Sequence, residues 1–138
     1  MSAEANKNLV ERFLHAMLGS ERETLAECLA VDTRWYPPTF VKNQFGEVVG
    51  RAETIAFLCD NPARFYKTGS RGMVLHSLIG EGDRVSALFD FQASPQRGGR
   101  LDTIAHFHFR CRGGEIAETW EVLCTAEWSA AVLGPPTE

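Results

Sequence analysis

Leu101-Asp102-Thr103-Ile104-Ala105-His106-Phe107-His108-Phe109-Arg110-Cys111-Arg112, followed at once by Gly113-Gly114-Glu115-Ile116-Ala117-Glu118-Thr119-Trp120-Glu121, is the stretch on which the fold turns. In its first part Leu101, Thr103, Ala105, Phe107, Phe109 and Cys111 alternate with Asp102, His106, His108, Arg110 and Arg112. A period of two sends successive side chains to opposite faces, so this is a strand with one apolar and one polar face. Gly113-Gly114 is a hairpin signal, because two successive positive-φ positions suit glycine. It predicts a second strand over 115–125. Upstream, Val85, Ala87, Phe89, Phe91 and Ala93 alternate with Arg84, Ser86, Asp90 and Gln92. Run 71–80 reads as a further strand, joined to 83–93 by the tight Gly80-Glu81-Gly82-Asp83 connection. Pro95 to Gly99 makes a longer loop before 100–112.

The first half has a different period. Leu9, Val10, Phe13, Leu14 and Met17 recur at helical spacing, and Gly19 is a stop signal. Ser20-Glu21-Arg22-Glu23 fits a capping box for a second, short helix whose stripe is Leu25, Cys28 and Leu29. A strand over Thr33–Tyr36 ends at Pro37-Pro38, and 39–50 reads as a loop. A third helix begins near Arg51 and is broken by Asn61-Pro62, with one more turn over 63–67. The tail 126–138, with Trp128 and Pro135-Pro136, reads as an irregular end. Helices first and an antiparallel meander after predict an α+β fold: a curved antiparallel sheet closed by N-terminal helices.

A chain of 138 residues suits a single domain spanning 1–138, with its core at about 6–125. Its 44% hydrophobic content excludes disorder, and no apolar run reaches the length of about 18 residues that a membrane span needs. A net charge of −4, without clustered Lys and Arg, argues against nucleic acid as the partner. The opening residues lack the basic and apolar regions of a secretory signal. Cys28, Cys59, Cys111 and Cys124 form no paired spacing, so free thiols in the cytoplasm are expected. No H-E-x-x-H, G-x-S-x-G, P-loop or G-x-G-x-x-G occurs, so neither metal hydrolysis nor a nucleotide cofactor is expected.

Two constellations remain. His106 and His108 share a strand face, a spacing able to hold a metal. Arg110 and Arg112 share that face and would repel a cation, so no metal is assigned there. In 115–124 the alternation sets Ile116, Glu118, Trp120 and Val122 against Ala117, Thr119, Glu121 and Leu123. Each face holds one glutamate, and periodicity does not choose between them. Whichever lies against apolar groups would have its charged form disfavoured and its pKa raised toward the range of acid–base work.

The chain resembles the nuclear transport factor 2-like superfamily, and within it the SnoaL-like group. The resemblance spans roughly residues 6–125. It rests on Leu9-Val10-x-x-Phe13, the second helix, Ala30-Val31-Asp32, the strand ending at Pro37-Pro38, Gly50-Arg51, Gly82-Asp83-Arg84-Val85, and Gly113 to Glu121. It implies a cone-shaped, cystatin-like α+β barrel with a pocket between sheet and helices. It also implies that the residue after Trp120 faces that pocket. Glu121 is then the candidate catalytic residue, with Phe13, Met17, Trp35, Phe57, Phe89, Phe91, Ala105, Phe107 and Thr119 as pocket-lining candidates. Tyr36 and His76 are weaker candidates, their faces being open. The ketosteroid isomerase pattern fails, because Phe13, Pro37 and Ala105 or Phe107 stand where that group has its Tyr and two Asp. The epoxide hydrolase pattern fails too, because Thr103, Ala105 and Phe107 occupy the inward positions.

The expected function is binding of a small apolar molecule, with proton-transfer catalysis by Glu121 and no cofactor. The alternative is a non-catalytic ligand-binding or dimerisation module. A homodimer is expected through the outer sheet face, which carries His106, His108 and Arg110 together with Leu88, Ile104, Trp120 and Val122.

Overall fold

The computed structural model describes residues 2–38 and 46–134. Most of the predicted 39–50 loop, and Pro135-Pro136, lie outside the described residues. Helix α1 is Ala3–Leu18, α2 Arg22–Cys28, α3 Arg51–Asp60, α4 Pro62–Phe65 and α5 Thr125–Val132. The strands are β1 Leu29–Tyr36, β2 Val48–Val49, β3 Gly72–Glu81, β4 Arg84–Ala93, β5 Leu101–Arg112 and β6 Glu115–Leu123. They form one curved, unclosed sheet in the order β2-β1-β6-β5-β4-β3. None of the helices is long and apolar enough to cross a membrane.

The antiparallel meander over β3 to β6 follows from the alternation. Gly113 and Gly114 take φ of 57° and 82°, the positive values a two-residue hairpin between β5 and β6 requires. The inner face carries Val85, Ala87, Phe89, Phe107 and Phe109, all buried. Helix α1 lays its stripe of Val10, Phe13, Leu14 and Met17 across that face, packing on β3 and β4. At Gly80 the chain comes so close that a Cβ would stand 3.1 Å from Lys7 and 3.2 Å from the Ala3 carbonyl oxygen. A side chain here would press the start of α1 a few tenths of an ångström away from β3, so glycine allows the close approach.

Five features differ from the sequence reading. First, β1 begins at Leu29, which belongs to the strand and not to the stripe of α2. Second, β1 pairs with β6 in parallel, so the sheet is mixed. Third, the Ser20 capping box does not form: the N-cap of α2 is Glu21, without a side-chain bond. Ser20 sits at φ 52°, and its Oγ instead accepts a hydrogen bond of 3.0 Å from Arg71. A tertiary contact has claimed the hydroxyl that local pattern assigned to a helix end. Fourth, strict alternation fails at the start of β6. Ile116 and Ala117 are both buried, because the β5–β6 register shifts between Arg110 and Cys111. Fifth, the tail is not irregular through its length: 125–132 is helix α5, pinned by the buried Trp128 and Val132.

Candidate functional site

Between the sheet and the helices lies a cavity of about 180 Å³, open at one side. Strands β4, β5 and β6 supply Phe89, Phe91, Phe107, Glu121 and Leu123. Strand β1 supplies Trp35, and Pro38 follows it. The opposite wall is Met17 of α1, Phe57 and Leu58 of α3, Asn61, Pro62 and Phe65 of α4, and Tyr66. Trp128 of α5 and Leu133 complete the rim.

Of the residues expected at this wall, Met17, Trp35, Phe57, Phe89, Phe91, Phe107 and Glu121 line it. Phe13, Ala105 and Thr119 do not, and they are corrected to core positions. All three are essentially inaccessible, Phe13 packing at 5.8 Å from Trp35 and 5.7 Å from Phe109. Thr119 Oγ1 has no hydrogen-bond partner among the described residues.

Glu121 is half-buried, and it borders the cavity. Its Oε1 accepts a 2.9 Å hydrogen bond from the Trp35 indole Nε1. Desolvation raises its pKa to about 7, against the smaller lowering effect of that hydrogen bond. Near neutral pH the carboxyl is therefore divided between its two forms, which suits a group that takes up or releases a proton.

Glu118 has the opposite environment. It lies on the outer face, accepting from the Tyr36 hydroxyl at 2.7 Å and from Arg110 Nε at 2.5 Å. Those two bonds, Tyr36 first, hold its pKa below the usual carboxylate value. Tyr36 stacks on Trp120 with ring centroids 5.0 Å apart, and the Arg84 guanidinium sits 5.5 Å from the Trp120 ring. His76 pairs with Asp90 at 2.9 Å on the outer face. Tyr36 and His76 therefore leave the list of pocket candidates. His108 Nδ1 lies 2.8 Å from Ser86 Oγ, and no group of three metal-ligating side chains occurs among the described residues.

Leu123 lines the cavity on the same strand face as Glu121, while the sequence reading missed Tyr66, Trp128, Phe65 and Leu58. The buried Trp128 donates its indole N–H to the Tyr66 hydroxyl at 2.6 Å, so α5 is tied to the segment after α4. Burial raises the Tyr66 pKa to about 12, the Trp128 bond opposing it, so the hydroxyl stays protonated. A tryptophan in a stretch read as an irregular end was the available signal, since so large an apolar group seldom stays in water.

A mixed sheet wrapped on helices, with an apolar internal pocket that holds one carboxyl among the described residues, defines a cone-shaped α+β class of fold. The SnoaL-like domain family matches residues 10–119, and the chain belongs to that family, within the nuclear transport factor 2-like superfamily. Among solved structures it is similar to a candidate SnoaL-like polyketide cyclase from Jannaschia sp. CCS1, with 19% identity, TM-score 0.83, and 97% of this chain and 95% of that one covered. It is also similar to an NTF2-like protein of unknown function from Burkholderia pseudomallei K96243 (21% identity, TM-score 0.81, 96% and 98% covered). A third is wild-type IdmH, a candidate polyketide cyclase from Streptomyces antibioticus (18% identity, TM-score 0.76, 94% and 99% covered). These likenesses show a shared fold. No curated protein matches the chain.

Proposed function

We propose that this protein binds a small, largely apolar molecule in the cavity, and that Glu121 moves a proton on it without a cofactor. The reaction class is isomerisation, cyclisation or dehydration. The observation that carries this reading is a single carboxyl, with a pKa of about 7, set in an aromatic cavity. Such a group can act as base toward an acidic C–H and then return the proton elsewhere on the same skeleton. The likeness in fold to two candidate polyketide cyclases supports the reading. The test is Glu121→Gln, which keeps shape and removes the ionisable group. With a substrate that the wild type turns over, kcat/KM should fall by about 10²–10⁴. Unchanged turnover would leave a binding role without catalysis.

A second reading has its own observation. The outer face exposes Ile104 and Val122 at 50% and 56%, beside Trp120, His106 and His108. So much apolar surface on a sheet face favours burial against a second copy of the chain. In this reading the protein is a homodimer through that face, whether or not the cavity is catalytic. A cytoplasmic site of action accords with Cys28, Cys59, Cys111 and Cys124, all free thiols.

A further inference from the structure

The wall around Glu121 lacks a counter-charge. Among its described residues there is no Lys, Arg or His, and Glu121 is the only acidic group. Arg71, whose charge acts on the lining Tyr66, is engaged elsewhere, donating to the Met17 carbonyl at 3.1 Å and to Ser20 Oγ at 3.0 Å. Glu121 itself receives one hydrogen bond, from Trp35. Desolvated carboxylates are ordinarily held by a cation or by several donors, and among the described residues this one has neither. Eight of the side chains lining the cavity are aromatic. Aromatic faces carry negative potential and attract an ammonium group, most strongly where water is excluded. A carboxylate without its cation and a wall of ring faces ask for the same thing.

We infer that the cavity takes a small organic cation, a tertiary ammonium or quaternary ammonium group on an apolar body, with its charge beside Glu121 and its alkyl groups against the rings. The inference rests on the cavity being a ligand site, and not on its being catalytic. The volume of about 180 Å³ suits a compact head of this kind. It exceeds the roughly 150 Å³ that houses a benzene in an engineered apolar cavity.

A matched pair of probes tests it: choline, and its neutral carbon isostere 3,3-dimethylbutan-1-ol. Neither probe titrates, so any pH dependence belongs to the protein. The titratable group facing Glu121 across the cavity is Tyr66, which stays neutral because its pKa is about 12; Trp35 does not ionise. Choline pairs only with the ionised carboxylate. By calorimetry, its affinity should rise about tenfold or more between about pH 5.5 and pH 8.5, since Glu121 titrates between them. The isostere should show no such rise, and at pH 8.5 it should bind at least about tenfold more weakly than choline.

Glu121→Gln should abolish the preference for choline while leaving the isostere's affinity within about twofold, which also reports an intact cavity. If the isostere binds as well as choline at pH 8.5, the ammonium inference is overturned and the ligand-site reading stands. If the Gln variant keeps the preference, the inference is likewise overturned. Binding of neither probe at millimolar concentration overturns both.

Discussion

At the residue scale, the environment of Glu121 makes stability depend on pH with a definite sign. Its pKa is raised from 4.5 in the unfolded chain to about 7 in the fold. The folded state therefore holds the proton more tightly. No penalty exists below about pH 4.5; the penalty grows as pH rises toward 7 and then levels off. Its ceiling is roughly 3 kcal/mol at 1.36 kcal/mol per pKa unit, reduced to the extent that the cavity admits water. Gln at this position still accepts from Trp35 and carries no charge to desolvate. Urea unfolding of Glu121→Gln against wild type should show the variant more stable at pH 8, by about 1–3 kcal/mol, with the gap closing below pH 5. A destabilised variant at every pH would instead mark the carboxylate as structurally bonded. Trp35→Phe removes the one donor to Glu121 among the described residues. The carboxyl should then titrate above its wild-type midpoint, as followed by the pH dependence of its carbon NMR shift. A lowered midpoint would contradict the account of what holds it.

At the element scale, β6 shows how a strand can be placed correctly and still carry a local misfit. Thr119 is fully buried, and its hydroxyl is unpaired among the described residues. Valine has the same shape and fits a strand equally well. Thr119→Val should raise stability by about 1 kcal/mol in chemical denaturation, because a buried unmet hydroxyl is removed. Loss of stability would mean that the hydroxyl has a partner, a bound water included. Helix α5 gives the opposite case. It was not anticipated because its sequence is short, uncapped and weakly periodic. What orders it is one buried tryptophan, packed 5.4 Å from Phe65 and bonded to Tyr66. Trp128→Ala should cost about 3–5 kcal/mol. It should also raise amide exchange across α5 while leaving β4 and β5 protected. Uniform exchange throughout the chain would show that α5 is not a separate unit.

At the scale of the whole molecule, the sheet separates two chemistries. Its inner face holds the aromatic cavity, with a single carboxyl among the described residues, and its outer face holds Trp120, Tyr36, Glu118 and Arg110 in one network. If two copies meet there, Ile104→Asp combined with Val122→Asp should give a monomer by light scattering at micromolar concentration, with the cavity unchanged. A monomeric wild type would dismiss the dimer outright. His108 adds a pH dependence. Burial, with Arg84 and His106 nearby, lowers its pKa, so it is neutral at pH 7 and charges only on acidification. Adding a positive charge beside Arg84 should weaken association as the pH is lowered through the acid range where His108 charges.

The layout of this protein was legible from residue order because its signals are local. Period-two runs gave β4 and β5, a helical stripe gave α1, and Gly113-Gly114 gave the turn, each readable within a dozen residues. The strand side of the cavity wall followed once the resemblance had fixed which face looks inward, while Leu58, Phe65, Tyr66 and Trp128 on the helix side did not. The choice between Glu118 and Glu121 was not local. It was reached through a family resemblance, and its physical cause is that the β5–β6 register sets Arg110, and the parallel β1–β6 register sets Tyr36, beside Glu118, while β1 brings Trp35 to Glu121. The parallel β1–β6 pairing, the transfer of Ser20 from a helix cap to Arg71, and the docking of Trp128 on Tyr66 join residues 51 to 87 positions apart. Contacts over such distances leave no periodic trace in the chain, because they depend on which surfaces meet after the local elements have formed.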